Sequence, residues 1–505
     1  MKKGIILYFS YYLAICSCLL PYSSLFAQTQ QTGKAEMPIT TNSEEARQLY
    51  LQGRDLRMAQ YKFKEAADVL DKALSLDPDF ALAHLERAMA SMEGGMASSP
   101  DMESFRKHLQ KASALKGNVS EGEQLMISSM EAQFNNKPEE AIALFTRLAE
   151  LYPQDKNIQY DLGTFYFVNN NYDKAIEYYK KATAIDPDFA PVYNELGYAY
   201  TYTRDYPQAE AAYKNYISLV PQEANPYDSM GDLYVKMGKH EDAIKYFRKA
   251  AELDPENFNM SLTKAGTTMA LMGKLEESRR ALQEAESKAT TNVNKVNNML
   301  ARAQTYLYEA RYKDALQLAD KAAQLLDKEM NPDYLAQLYL GKGEVYTQLR
   351  DTAQAQQSFD DYRTLKSTSE MPPLYLNNFD QRLLFDEAIL AAKVKNFNLA
   401  NRKAEEYKQM VSGSENPDVV KSHHALIGLI QYEAGNYQKA ITALEQADQQ
   451  HPRVLYVQAL AHEKAGNKAK ANELKNKLAA LNEPDFDFAL VKASMYKKPK
   501  VATTK

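Results

Sequence analysis

A chain of 505 residues with 45% hydrophobic and 25% charged residues has the balance of a folded protein. Beyond its N-terminus no run approaches the roughly 20 apolar residues that a membrane helix needs, and a formal charge of −5, from 61 basic against 66 acidic residues, disfavours nucleic acid, which calls for a basic face. The two cysteines, Cys16 and Cys18, stand close to the start, so disulfides, thiol catalysis and thiolate metal sites are excluded from everything after them.

In chain order, residues 1–27 read as an export signal peptide: Lys2 and Lys3 precede an apolar run from Gly4 to Leu20, and Ala27 ends the segment. Cleavage there removes two lysines and no acid, leaving 59 basic against 66 acidic residues, a charge of −7. The expected location is periplasmic or secreted. Leu13-Ala14-Ile15-Cys16 resembles a bacterial lipoprotein box, although Ile15 stands where that box carries a small residue. The alternative is therefore a membrane-anchored lipoprotein with its lipid on Cys16 or Cys18. Residues 28–42, polar and Gln/Thr-rich, predict a flexible linker. Folding starts near Ser43, which precedes the Glu44-Glu45 pair as a helix cap precedes acids at the positive end of the dipole.

From there to about Tyr496 amphipathic helices alternate with short turns, and no strand or hairpin pattern interrupts them. The fold class is all-α. Residues 156–257 state the plan: Gly163, Gly197 and Gly231 recur at a spacing of 34, as do Tyr166, Tyr200 and Tyr234, Ala175, Ala209 and Ala243, and Pro187, Pro221 and Pro255. Small residues belong where two helices cross closely, aromatics beside those crossings, and proline at the turn into the next unit. Tyr166, Tyr200, Tyr234 and Tyr179 are expected in the core.

Weaker units extend the register. Residues 122–155 fit through Ala141, Phe145 and Pro153, and 47–80 through Ala66, Ala73 and Pro78 with an irregular first helix. Ala81 to Gly117 carries Gly94, Gly95 and Pro100 where a tight turn belongs, which predicts an enlarged loop. Units follow at 259–292, 296–329, 336–369, 381–414 and 421–454, with a last one from about 453. Breaks fall at Met371-Pro372-Pro373 and Ser412-Gly413-Ser414. The Asn/Thr-rich stretch 290–298 divides an N-terminal array, 43–292, from a divergent C-terminal array, 293–490, and 491–505 forms a cap end and basic tail.

These positions, recurring in register, resemble the tetratricopeptide repeat family. That resemblance implies a right-handed α-solenoid of about twelve helical hairpins, the first helix (A) of each lining a concave groove. It places groove contacts at positions 2, 5, 9, 12 and 13 of a unit. Here these are Met126, Met130 and Phe134; Tyr160, Thr164 and Phe167; Asn194, Tyr198 and Tyr202; then Asp228, Asp232 and Lys236. Aromatics there suit an extended peptide or a partner helix, or else they pack on the next repeat. The Lys and Asn with which some family members clamp a C-terminal carboxylate are replaced by Tyr160 and Thr164, then Asn194 and Tyr198, then Asp228 and Asp232. The expected ligand segment is basic or amide-rich. The run from Asn416 to Tyr496, with Phe486-Asp487-Phe488, looks similar to the ends of exported bacterial members of the family.

Catalytic patterns are missing from the sequence. The 7 histidines are scattered, and His423-His424 are adjacent and so point to different faces of a helix. HExxH, GxSxG and phosphate-cradling GKS/T do not occur. No cofactor is expected, and Glu44-Glu45 or Glu276-Glu277 read as solvated helix faces. The sequence therefore points to an exported, non-enzymatic scaffold for a protein or peptide. One alternative is an envelope glycan-binding lipoprotein with similar helices, against which the complete lack of tryptophan counts. Another is a hydrolase with an unrecognised site.

Overall fold

The computed structural model describes residues 36–496 apart from 59–61, 93–100, 136, 329–330, 370, 372, 413–416 and 482–485. The export segment, Cys16, Cys18, the Gly94–Pro100 loop and the basic tail lie outside the described residues. Among the described residues twenty-four α-helices form twelve successive hairpins, and a twenty-fifth follows them. The first six are α1 (Glu44–Met58) with α2 (Phe63–Leu76), α3 (Ala81–Ser91) with α4 (Met102–Leu115), α5 (Glu121–Phe134) with α6 (Pro138–Leu151), α7 (Lys156–Val168) with α8 (Tyr172–Ile185), α9 (Pro191–Thr203) with α10 (Tyr206–Leu219), and α11 (Asn225–Lys236) with α12 (His240–Leu253). Then come α13 (Asn259–Leu271) with α14 (Leu275–Lys288), α15 (Asn292–Tyr308) with α16 (Tyr312–Ala323), α17 (Pro332–Leu349) with α18 (Thr352–Thr368), α19 (Pro373–Lys393) with α20 (Phe397–Val411), α21 (Pro417–Glu433) with α22 (Tyr437–Leu444), α23 (Pro452–Lys464) with α24 (Lys468–Ala479), and finally α25 (Phe486–Tyr496).

Where the small residue of a hairpin is a glycine, the two helices close upon it. A Cβ on Gly231 would stand 2.6 Å from Phe247 Cδ1, and one on Gly266 2.6 Å from Leu282 Cδ2. Only hydrogen fits there. The same relation exposes a register shift at the start of the chain. Gly53 meets Leu70, with a Cβ placed 2.6 Å from Leu70 Cγ, so α1 is a regular helix one residue out of step with 47–80 rather than an irregular one. Ser43 caps it, its Oγ accepting from the backbone N–H of Ala46 at 3.1 Å.

The turn inside the hairpins repeats as well. Asn170, Arg204, Gly238, Gly273, Ala310, Arg350, Lys395, Gly435 and Gly466 all sit at positive φ, one in each of the fourth to twelfth hairpins. The residue after each donates its N–H five residues back, as Asn171 does to Tyr166 O at 2.8 Å and Lys239 to Tyr234 O at 2.8 Å. This left-handed stop satisfies the last carbonyls of helix A. Helix B then begins on a polar cap at many turns: Asn171, Asp205, Asp351, Asn396 and Asn467 accept from backbone N–H groups of the first turn. Because five different residue types occupy the left-handed site, it leaves no identity signal.

The chain divides into two compact units at Ser261/Leu262, within α13. The core of the first is built on Tyr50, Leu70, Phe80 and Phe105 and on Phe145, Leu148, Tyr152 and Leu162. In the second, A helices lengthen to 17, 18, 21 and 17 residues in α15, α17, α19 and α21. Its core includes α25, whose Phe488, Ala489, Leu490 and Val491 join Leu307, Tyr308, Leu455 and Ala459.

Candidate peptide-binding face

Several of the predicted groove residues form the seam between successive A helices of the first unit. Ser229 Oγ donates to Asn194 Oδ1 at 2.8 Å, Tyr198 OH reaches Ser229 Oγ at 3.1 Å and Asp232 Oδ2 at 3.4 Å, and Ser261 Oγ donates to Asp228 Oδ1 at 2.6 Å. Asn194 has no exposed surface and Asp228 has 5%. These polar groups hold repeat to repeat. A buried carboxylate or amide must be satisfied where it sits, and here the neighbouring repeat supplies the partner.

The aromatic residues divide. Tyr160 is buried against Phe189, ring centroids 5.5 Å apart, and Phe167 is buried edge-on to Tyr172 and Tyr202. Tyr202 stacks on Tyr172 at 5.0 Å yet remains 42% exposed, and Phe134 packs on Phe105 at 4.7 Å with 39% exposed. Met126, Met130 and Thr164 are half-buried and Lys236 is exposed. Of the expected core tyrosines, Tyr179, Tyr200 and Tyr234 are buried, whereas Tyr166 is half-buried and stacks on Tyr178.

A charged cluster stands on the A helices α1, α3 and α7. Arg57 grips Glu86 with two hydrogen bonds, at 2.8 and 3.1 Å. Arg54 lies over the ring of Tyr50, 5.6 Å from its centroid. Asp161, half-buried, completes the group. Burial pushes its carboxyl up to about 7, reinforced by Glu86 and opposed by Arg57 and Arg54. Among the described residues no hydrogen bond or ion pair reaches Asp161. It is a half-buried carboxyl with its hydrogen-bond acceptor capacity unused.

Sequence reasoning misses this cluster for a definable reason. With Gly53 rather than Arg54 as the small residue of the first hairpin, Arg54 and Arg57 move onto the groove-facing positions 9 and 12. Glu86 and Asp161 both occupy position 6, one residue beyond Leu85 and Tyr160 at position 5, and the family pattern does not assign position 6 to the groove.

A second feature shows these repeats holding extended polypeptide. Residues 37–42, part of the stretch expected to be a flexible linker, run without helix across the first unit. Met37 N donates to Asp155 Oδ2 at 3.0 Å, Thr40 N to Glu123 Oε1 at 2.8 Å, and Asn42 N to Asp77 Oδ2 at 2.9 Å. The hydroxyls of Thr40 and Thr41 donate to Glu123 and Asp77, each at 2.6 Å. All three acceptors are buried, with 7%, 0% and 6% exposure for Asp155, Glu123 and Asp77.

A further pair absent from the sequence reading is His84 and His108, buried with Nδ1 atoms 3.0 Å apart, His84 Nε2 lying 3.0 Å from Pro78 O. Burial lowers both, His108 to about 4, so the pair is neutral and shares one proton. No group of three or more His, Cys, Asp or Glu among the described residues is arranged to hold a metal ion. No described helix is long and apolar enough to cross a membrane.

Family models described as tetratricopeptide repeat match residues 129–188 and 426–483, 178–211, and 229–257. A solved tetratricopeptide repeat protein from Parabacteroides merdae is 17% identical over 54% of this chain and 98% of its own, with a TM-score of 0.35. The pilF protein of Pseudomonas aeruginosa is 17% identical over 45% of this chain and 94% of its own, at 0.31. Likenesses this slight place no residue and assign no activity. No curated protein matches the chain.

Proposed function

We propose that this chain, which carries tetratricopeptide repeats, is an exported, non-catalytic scaffold that binds an extended segment of a partner protein on the A-helix face of its first unit. The observation that carries the reading is the chain's own segment 37–42, held by backbone N–H groups on three buried carboxylates. Main-chain recognition of this kind gives affinity with little demand on sequence, and neighbouring side chains then select. Asp161 supplies the selection. A half-buried carboxylate that accepts no hydrogen bond favours a ligand cation, whose approach relieves the cost of ionising it. Tyr202 and Phe134 add exposed aromatic surface.

The partner segment is therefore extended and carries a lysine or arginine. Lys2, Lys3 and the apolar run after them support export. The test is crosslinked affinity capture with the mature chain, compared with chains carrying Asp161→Asn or Tyr202→Ala. Loss of the same partners from both variants supports the assignment, and an unchanged partner set refutes it.

A further inference from the structure

The last helix does not behave as the polar-faced cap that ends a repeat array. A capping helix buries one stripe, with period 3.6, and leaves the opposite face to water. In α25 four consecutive residues, Phe488, Ala489, Leu490 and Val491, are each no more than 4% exposed. Four successive positions sweep most of the way round a helix, so α25 is enclosed over these residues, while Met495 near its end is 43% exposed. Its neighbours are A helices from the two ends of the second unit, α15 and α23. The Phe488 ring stands edge-on to Tyr308 at 6.2 Å, and Phe486 approaches α17 at Gly341, where a Cβ would lie 4.0 Å from its ring. The A-helix face that would receive a ligand is filled by the chain's own end.

One charged residue fixes the register. Asp487 pairs with Arg453 and lies 3.4 Å from His451 Nε2. Desolvation acts to raise Asp487, but Arg453 and His451 prevail and hold it well below the ordinary carboxylate range. Arg453 also pairs with Glu344, which in turn receives Arg382 at 3.4 Å. Removing Asp487 would therefore leave Arg453 compensated, not stranded as an unpaired buried cation, the usual cost of breaking such a pair. The seat is also incompletely filled. Beside the anchor lies a cavity of about 180 Å³ lined by Asp487, Arg453, His451, Lys421, Asp448 and Phe385. A helix of 11 residues is too short to persist alone in water, so α25 folds where it is held.

We infer that the A-helix face of the second unit is a docking site for a helix of a partner protein bearing an acidic residue between two aromatic ones and two aliphatic residues just beyond, and that α25 is the resident ligand such a helix displaces. Buried ion pairs of this type select register more than they add stability, so exchange of one helix for another of like pattern is governed by the aromatic and aliphatic contacts.

The probe is a fluorescent peptide of residues 484–497, titrated by anisotropy into the full chain and into a full chain carrying Phe488→Ala with Val491→Ala. The weakened chain should bind at least ten-fold tighter than the intact one, and a peptide with Asp487→Lys should bind it at least ten-fold more weakly. Hydrogen exchange at 486–496 reports whether α25 has been released. Equal binding by both chains, indifference to Asp487→Lys, a released α25 with no peptide binding, or an α25 that stays protected in the double variant would each overturn the inference. The last would show α25 to be a fixed part of the core, and the one before it that the vacated face accepts no helix. Should the double variant lose its helical spectrum, the chain with Val491→Ala alone replaces it, with the same contrast expected and the same outcomes decisive.

Discussion

Phe247 occupies the space that a side chain on Gly231 would need, its Cδ1 and Cε1 each 2.6 Å from where a Cβ would stand. Every hairpin of the regular repeats closes on such a pair, so the glycine is required by its neighbour's ring and not by its own backbone angle.

Gly231→Ala should therefore lower stability by about 1–3 kcal/mol, the range for inserting a methyl group into a packed core. Because each repeat is stabilised by the next, hydrogen exchange should quicken in α9 and α10 as well as in α11 and α12. Loss confined to residues 225–253 would contradict a stacked array.

The left-handed turn gives a paired test. Gly238, at φ 72°, and Ala310, at φ 56°, occupy the same site in different hairpins. Gly238→Ala should cost about 1 kcal/mol and Ala310→Gly should gain up to about 1 kcal/mol, since a Cβ is disfavoured there and glycine is not. Urea midpoints of the two variants should move in opposite directions.

The His84–His108 pair predicts an acid-sensitive region. His108 falls from 6.5 to about 4 on folding, chiefly through desolvation, with Arg87 and His84 adding to it. The folded state then binds fewer protons than the unfolded one between these values. The pair's contribution is whole above pH 6.5 and is lost as pH falls toward 4. His108→Gln should flatten the slope of stability against pH across that window, measured by urea unfolding at half-unit steps.

Asp161 works in the other direction. Its carboxyl rises from 3.8 to about 7 on folding, mainly through burial, so its contribution is whole below pH 3.8 and is lost as pH rises through 7. Asp161→Asn should leave stability nearly unchanged at pH 4 and raise it at pH 8, while weakening partner binding. A residue whose removal stabilises the fold and impairs binding is placed for a ligand and not for packing.

The hairpins were legible in the sequence because Gly, Tyr, Ala and Pro recur in phase wherever close packing admits few alternatives. The left-handed turn was not, since Asn170, Arg204, Ala310 and Lys395 share a conformation without sharing chemistry. Asn194 and Asp228 illustrate the limit at the candidate site: groove-facing by position, they bond to the next repeat, and no period in a sequence records which neighbour satisfies a polar group. Arg54 and Arg57 were hidden by a register shift of one residue. α25 was hidden by its length, because enclosure by α15, nearly 200 residues earlier, cannot be read from eleven residues.

The most direct test of the binding face is a randomised peptide array probed with the full chain and with its Asp161→Asn variant at pH 8. Peptides carrying lysine or arginine in an otherwise unconstrained extended sequence should be retained by the full chain and lost by the variant. Retention of acidic peptides, or the same basic peptides held equally by both chains, would contradict the account.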